Sequence, residues 1–505
     1  MSFAVLAQLT GPQSPKPTST QGSVSTPQEG WNMGLTVGAV TIDNVIYNQI
    51  GIRPEFVVGK FGVALDLTLY IDQDGNIRKD NWDSFSDIIE KIYYVRWGLQ
   101  GDPFYAKVGA IDNYRLGYGL LMNRYYNTIQ YPAVIRTGLI LGFQGEKIGA
   151  DLMLNDFKEV GRPGGLMAGR LTYKLIGELT LGANVVYDRN QYASLPDQDK
   201  DDIPDALDDF PRKGKYAVDT DGDGVPDAID PDRDGDGYTD NSQITSVPNN
   251  DPDSVLLKPN PFNISTASDK EQLGFGVDLG LPILTADYLQ LTLYGQAAKY
   301  GYGNGWGMGA PGVLAKFGFI NVYAEYRMLE KKFIPEYFNS TYEIERVFFE
   351  QGADSGDLEL VTKRKLMSRI DYRMQGYMAG ADFFIGNLIT FSAMYQNMTS
   401  SSDNGTSSLD KLNLNSLTAN LDVNTSMIPK IQRAGAYYYQ QNVDKLFPAK
   451  QPGTIFGYQL QYEIGAGAAL LLDYRTMYRD LNGDGKIKGD KETINITNIQ
   501  TVFTF

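Results

Sequence analysis

The sequence predicts an all-β chain: a transmembrane, antiparallel up-and-down β-barrel of about 18–20 strands with long outer loops. Three observations predict it. Short segments of strict alternation between apolar and polar or small residues recur from Trp31 to the C-terminus. The connections between them alternate in length, long and short in turn. No run approaches the ~20 apolar residues that a spanning helix needs, and even "GAGAALLLDY" is broken by Asp473.

The first 30 residues stand outside this pattern. In "MSFAVLAQLTG", Val5 and Ala7 suit the small-residue positions of a signal-peptidase site with Gln8 as the mature start. The segment reads either as a clipped signal peptide or as an ordinary disordered terminus. "GPQSPKPTSTQGSVSTPQEG" then reads as a Pro/Ser/Thr linker without packing capacity. The organisation that follows is a first part of the barrel over 31–189, an acidic loop over 190–269, and a second part over 270–505.

In "KFGVALDLTLYI", Phe61, Val63, Leu65, Leu67, Leu69 and Ile71 share one face, and Gly62, Ala64, Asp66, Thr68 and Tyr70 share the other. Period two makes this a strand with one greasy and one polar or small face. "KIGADLMLN", "LGFGVDLGL" and "INVYAEYRM" repeat the pattern. Segments of roughly 9–13 residues match a tilted membrane strand better than the ~5–6 residues common in soluble sheets. With Trp31–Ile42 as the first strand, long gaps near 72–90, 112–133, 156–164, 190–269, 332–366, 400–411, 442–453 and 479–493 all follow odd strands. Tight connections near Gly59, Asp102, Glu146, Gly177, Gly318, Gly386 and Gly465 follow even ones.

The final "NITNIQTVFTF" puts Ile499, Thr501, Phe503 and Phe505 on one face and stops on an aromatic residue. Here the sequence resembles Gram-negative outer-membrane barrels, at the level of architecture and apart from the large loop. The resemblance implies a location in the outer membrane, with its lipid around the wall and the acidic loop facing the cell exterior.

Composition narrows the chemistry. The chain has no cysteine and no histidine, which removes disulfides, thiolate metal sites and every His-dependent triad or zinc centre. An enzyme is not expected. The net charge of −16 is uneven: residues 190–269 hold 19 Asp, no Glu and 6 Lys or Arg, and the remainder is nearly neutral. Nucleic acid is therefore excluded as a partner.

Within the acidic loop, carboxylates fall at every second position with glycines between them, a spacing that wraps oxygen ligands around Ca²⁺. The run resembles thrombospondin type 3 repeats. Asp219, Asp221, Asp223, Asp227 and Asp230 match one copy fully. Asp232, Asp234, Asp236 and Asp240 match most of a second, with Gln243 in place of its last Asp. Asp197, Asp199, Asp201, Asp205 and Asp208 form a third, with Asp202 where glycine is expected. Calcium would turn a coreless loop of like charges into a compact cap. Asp480, Asn482 and Asp484 open like an EF-hand loop, but Lys491 stands at its twelfth position. "DQDGNIRKD", with Asp72 and Asp74, reads as a turn.

The polar face of the strands carries both signs of charge, including Arg53, Asp66, Arg136, Arg170, Asp188, Asp278, Glu325, Arg327 and Arg475. Such a set suits either a water-filled pore or salt bridges that hold a barrel closed. The segment 112–132, "DNYRLGYGLLMNRYYNTIQYP", is too aromatic and apolar for an outer loop. It either packs on the rim or folds back into the barrel, where Arg115, Arg124, Tyr125 and Tyr126 would shape passage. The expected function is a porin-like channel for small polar solutes. The alternative is a non-conducting barrel that anchors a calcium-capped surface module in an assembly, with copies of itself or other surface proteins as partners.

Overall fold

The computed structural model describes residues 30–504 apart from 43–44, 79–81, 83–84, 133, 158–164, 196, 198, 238, 240–257, 259–260, 287, 352–357, 386–387, 401–412, 425–429, 448–449, 466, 479, 481–486 and 489–491. Asp240, Asn482, Asp484, Phe505 and the N-terminal segment lie outside the described residues. The chain divides into two compact units, one of residues 1–189 and 271–505 and the other of 190–270.

The first unit is a closed antiparallel barrel. Its strands are β1 (Gly30–Ile42), β2 (Val45–Val58), β3 (Phe61–Leu65), β4 (Leu67–Ile71), β5 (Ile92–Trp97), β6 (Phe104–Gly109), β7 (Gly138–Gln144), β8 (Ile148–Leu154), β9 (Leu166–Lys174) and β10 (Thr180–Asp188). After the acidic unit come β11 (Gln272–Thr285), β12 (Gln290–Tyr300), β13 (Trp306–Phe317) and β14 (Ile320–Leu329). A short hairpin of β15 (Val347–Gln351) and β16 (Leu358–Thr362) forms a separate two-stranded sheet and takes no part in the wall ladder. The wall continues with β17 (Met374–Ile385), β18 (Ile389–Ser400), β19 (Asn415–Asn424), β20 (Ile431–Val443), β21 (Thr454–Gly465), β22 (Ala468–Tyr478) and β23 (Thr493–Thr504).

Neighbours in sequence pair antiparallel around the ring, and β23 pairs back onto β1 from Gly34↔Thr504 to Val40↔Asn498, so no edge is left open. β3 and β4 both pair with β2 and are two halves of one wall strand, which makes a 20-strand barrel. The stretch expected to run unbroken from Phe61 to Ile71 is interrupted at Asp66, whose N–H bonds to the Lys91 carbonyl at 2.8 Å. The inward Asp66 carboxylate accepts from Thr68 Oγ1 at 2.5 Å and from the Tyr131 hydroxyl at 2.6 Å. Its ion pair with Arg53 spans 3.3 Å. The wall strands β5 to β8 have only 6 or 7 residues, shorter than expected, because the chain leaves the ladder early there to form inward structure.

The wall is inside-out relative to a soluble sheet. On β14, Tyr323, Glu325 and Arg327 are buried while Val322 and Tyr326 are exposed. On β11, Asp278 is buried between exposed Val277 and Leu279. Exposed aromatics collect near the tight turns: Trp31, Phe56, Trp97, Phe104, Phe143, Tyr173, Tyr288, Phe317 and Phe319. Trp306 stands at the far end of β13 from Phe317. At about 3.3 Å per residue and a tilt of about 40°, those two rings are roughly 28 Å apart along the barrel axis, against an apolar band of about 25 Å in membrane barrels.

Candidate functional site

The inner wall of the barrel and the acidic unit each carry a concentration of functional side chains. On the wall, several of the mixed charges pair with one another. Arg170 on β9 forms a two-pronged bridge to Asp278 on β11, at 2.5 and 2.8 Å, with Asn184 of the intervening strand bonded to both. Arg327 donates to Glu325 at 2.6 Å, pairs with Glu336 at 3.0 Å, and donates to Gln396. Gln296 completes this group through its amide, 2.7 Å from Glu325. Buried charges of this kind are tolerable only because their partners are held in place, most by the ladder and Glu336 by the chain packed inside it.

Residues 110–137 leave β6 and turn into the barrel. Ile111, Tyr114, Leu116, Leu120, Leu121, Met122, Tyr125, Tyr126 and Ile129 are each at most 3% exposed. Arg124, at the centre of this segment, crosses to the inward faces of β14, β17, β18 and β19. Its guanidinium donates to Tyr323 Oη at 2.7 Å, Ser392 Oγ at 2.9 Å and Thr418 Oγ1 at 3.0 Å, and lies 3.6 Å from the Asp382 carboxylate. Arg115 bonds Asn123 at 2.7 Å and sits over the Tyr323 ring. Tyr126 packs against Tyr439. Tyr125 donates to Glu343, and Arg136 reaches the same carboxylate at 3.3 Å. Arg136 thus belongs to the inward segment, just ahead of β7, and not to the wall as its alternation suggested.

The described residues of a second segment, 330–351 and 358–373, also turn inward, where the sequence predicts only a long connection. It contains α1 (Tyr342–Glu345), the β15–β16 hairpin and α2 (Lys363–Ser368). It adds a strand-like contact to the first segment: Glu336 N–H to Leu120 O at 2.8 Å, Phe338 N–H to Leu121 O at 3.1 Å, and Asn123 N–H to Phe338 O at 3.1 Å. Phe333, Tyr337, Phe338 and Tyr342, all fully buried, pack with Tyr300 and the inward residues of β6–β10, β12, β14, β17 and β18 into one apolar cluster. On the other side, Ile129 and Ile344 pack with Val40, Tyr437, Tyr439, Ile455 and Met477. Arg475 on β22 donates to the Ile129 carbonyl at 2.5 Å. The two segments together therefore form a plug that meets the inner wall on both sides. The signal available in the sequence was six aromatic residues between Phe333 and Phe349 in a supposed outer loop. Asp382, Glu343 and Arg346, which hold the plug, carried no such signal.

The acidic unit repeats one local geometry three times. The carboxylate of Asp197 accepts from the N–H groups of Lys200 and Asp202, that of Asp219 from Gly222 and Gly224, and that of Asp232 from Gly237. The fourth and sixth positions of each copy are left-handed: Gly222 and Gly224 (φ 79° and 88°), Gly235 and Gly237 (70° and 92°), and Lys200 and Asp202 (66° and 70°). The copy lacking glycine adopts the same turn at a cost of about 1–2 kcal/mol per side chain. Each turn brings three carboxylates together: Asp197, Asp199 and Asp201; Asp219, Asp221 and Asp223; Asp232, Asp234 and Asp236, with oxygens within 4.8 Å of one another in each set.

These oxygens fit a hard divalent cation. Both carboxylate oxygens of Asp199, and one each of Asp208, Asp230 and Asp232, are buried without a hydrogen-bond donor. Burial, followed by the neighbouring Asp199 and Asp201 carboxylates, raises the Asp208 carboxyl above its ordinary range. Asp197 and Asp201 are raised by burial and by neighbouring carboxylates in the same way. Asp227 is occupied differently, accepting from Thr220 N–H at 2.7 Å and Thr220 Oγ1 at 2.6 Å. Asp205 lies in a short 3₁₀ turn, Asp205–Leu207. The unit is not without apolar packing, since Tyr192 meets Phe262 at 4.7 Å and Phe210 meets Tyr216 at 6.5 Å. Outside the unit, Asp72 accepts from Asp74 N–H, Asn76 N–H and the Asn76 amide, a satisfied turn. Of the EF-hand-like stretch, Asp480 is described, and the buried Glu492 accepts from Lys488 N–H at 2.7 Å.

No protein-family model matches the chain, and no curated protein does. Among solved structures, it is similar to the siderophore receptor PirA from Acinetobacter baumannii, at 7% identity and a TM-score of 0.35, over 95% of this chain and 81% of that one. OccK8 (OprE) of Pseudomonas aeruginosa matches at 10% identity and a TM-score of 0.30, over 94% and 97%. OccK11 (OpdR) of the same organism matches at 12% and 0.30, over 96% and 99%. At such values the functional reading stands on the geometry of this chain.

Proposed function

We propose that the protein is an outer-membrane transport barrel, a constricted channel for small polar solutes with a calcium-stabilised outer loop. The observation that carries the membrane reading is the inverted wall: an apolar, aromatic-rimmed exterior around an interior of buried ions. In water that exterior would be a large aggregation surface, whereas in lipid it is the favourable one. The polar inner wall supplies the charged and amide groups that a polar solute exchanges for water, and the plug sets how narrow the path is.

Calcium is the cation proposed for the three aspartate sets. Support comes from their shared turn geometry and from the donorless oxygens of Asp199, Asp208, Asp230 and Asp232. Bound there, the ion supplies charge neutralisation. The aspartates themselves fix the turns through their backbone hydrogen bonds.

The plug favours a second reading, a closed barrel serving as an anchor for its outer loop. Single-channel conductance in a planar bilayer, with Ca²⁺ and then with chelator, separates the two. Discrete conductance steps support the channel. Silence from well-folded protein in both conditions refutes it and leaves the anchor.

A further inference from the structure

The two strand ends that carry the acidic loop are held by the plug. β10 ends at Asp188 and β11 begins at Gln272, and these two are register partners. The fully buried Asp188 carboxylate accepts from Arg346 Nε at 3.1 Å, from a second Arg346 nitrogen at 3.0 Å, and from the Tyr342 hydroxyl at 2.5 Å. Opposite, Gln272 Nε2 donates to Met367 Sδ at 3.7 Å, and the Glu271 carbonyl accepts from Arg364 at 3.0 Å. Tyr342, Arg346, Arg364 and Met367 all belong to the inward segment 330–373. Only Arg189 separates Asp188 from the acidic unit, and Glu271 follows it directly. The unit closes its own base with a bond from Gln191 N–H to Lys270 O at 2.7 Å.

We infer that cation binding in the acidic loop and closure of the lumen by segment 330–373 stabilise each other through the ends of β10 and β11. Without cations, 19 aspartates against 6 bases repel one another, and the strain falls on the two chains at the base of the loop. With cations bound, the base is drawn together, and Asp188 and Gln272 stay where Arg346 and Met367 meet them. Bidentate charge-assisted bonds depend steeply on such placement. Calcium is thus a closing signal for the channel, and its loss favours opening. The inference rests on calcium binding by the loop.

Linkage is reciprocal: if calcium favours the seated plug, the seated plug favours calcium. The test is calcium titration by calorimetry on the full chain in detergent, for the unaltered protein, Arg346→Met, Tyr342→Phe and Arg433→Met. Arg433 pairs with Asp422 at 2.5 Å, away from the strand ends, and serves as a control. Arg346→Met is expected to weaken calcium binding by about fivefold or more. Tyr342→Phe, which removes one hydroxyl and keeps the fold, shifts it in the same direction by a smaller factor. Arg433→Met leaves it unchanged. Wild-type affinity in both folded plug variants overturns the coupling while calcium binding stands. No calcium uptake by the unaltered protein overturns both.

Discussion

Replacing Arg124 by methionine is the most informative perturbation of the plug. The residue is 2% exposed, and its guanidinium makes three hydrogen bonds to the far wall besides facing Asp382 at 3.6 Å. Removing one member of a buried pair costs about 3–5 kcal/mol, chiefly because the other charge is left unpaired. Asp382 keeps the Ser392 hydroxyl as a donor at 2.5 Å, so the low end, about 3 kcal/mol, is appropriate. Asp382 is fully buried while the plug is seated, and withdrawal of the plug would rehydrate its carboxylate. The cost therefore bears on the closed state. At about 1.4 kcal/mol per factor of ten, the closed-to-open ratio falls roughly 100-fold. Single-channel recording should show a matching rise in open probability, and liposome swelling a faster uptake of small polar solutes. Adding Asp382→Asn should recover more than half of the loss, since the unpaired charge is then gone. Unchanged open probability in folded Arg124→Met protein would refute the assignment of this arginine as the tether of the plug.

Val277, exposed on the outer face of β11, should not accept arginine: Val277→Arg is expected to cost about 2–4 kcal/mol in a reconstituted unfolding assay. A change within about 0.5 kcal/mol would argue for a water-exposed wall. Asp199→Asn should remove one ion from the calcium stoichiometry measured by calorimetry, whereas Asp72→Asn should remove none, because the Asp72 oxygens are already satisfied by N–H donors. The carboxyls of Asp197, Asp201 and Asp208 are held above their ordinary range, so the metal-free folded loop binds protons more tightly than the unfolded one. Its stability is then greatest in acid and falls as pH rises through the raised values. Hydrogen exchange of residues 197–236 in chelator, corrected for intrinsic rates, should be slower at pH 4 than at pH 7. Calcium should abolish the difference at pH 7, and equal protection at both pH values without calcium would contradict the proton linkage.

Much of this was written locally. The faces of β11 and β14 follow from a period-two pattern that each strand carries by itself, and the parity of long and short connections is read directly along the chain. The three aspartate turns are equally local, since each closes within six residues on its own N–H groups, and Lys200 and Asp202 take the left-handed positions even without glycine. Tertiary structure decided what the lumen contains. Arg124 finds Thr418 294 positions away, and Arg346 finds Asp188 158 positions away. No local period encodes such pairs, because their energy arises only when the closed wall removes water from both partners at once. The segment 330–373 has no period-two pattern linking it to the wall, and its aromatics could equally have served a rim. Only barrel closure places the inner faces of β10, β12 and β14 where those rings can be buried.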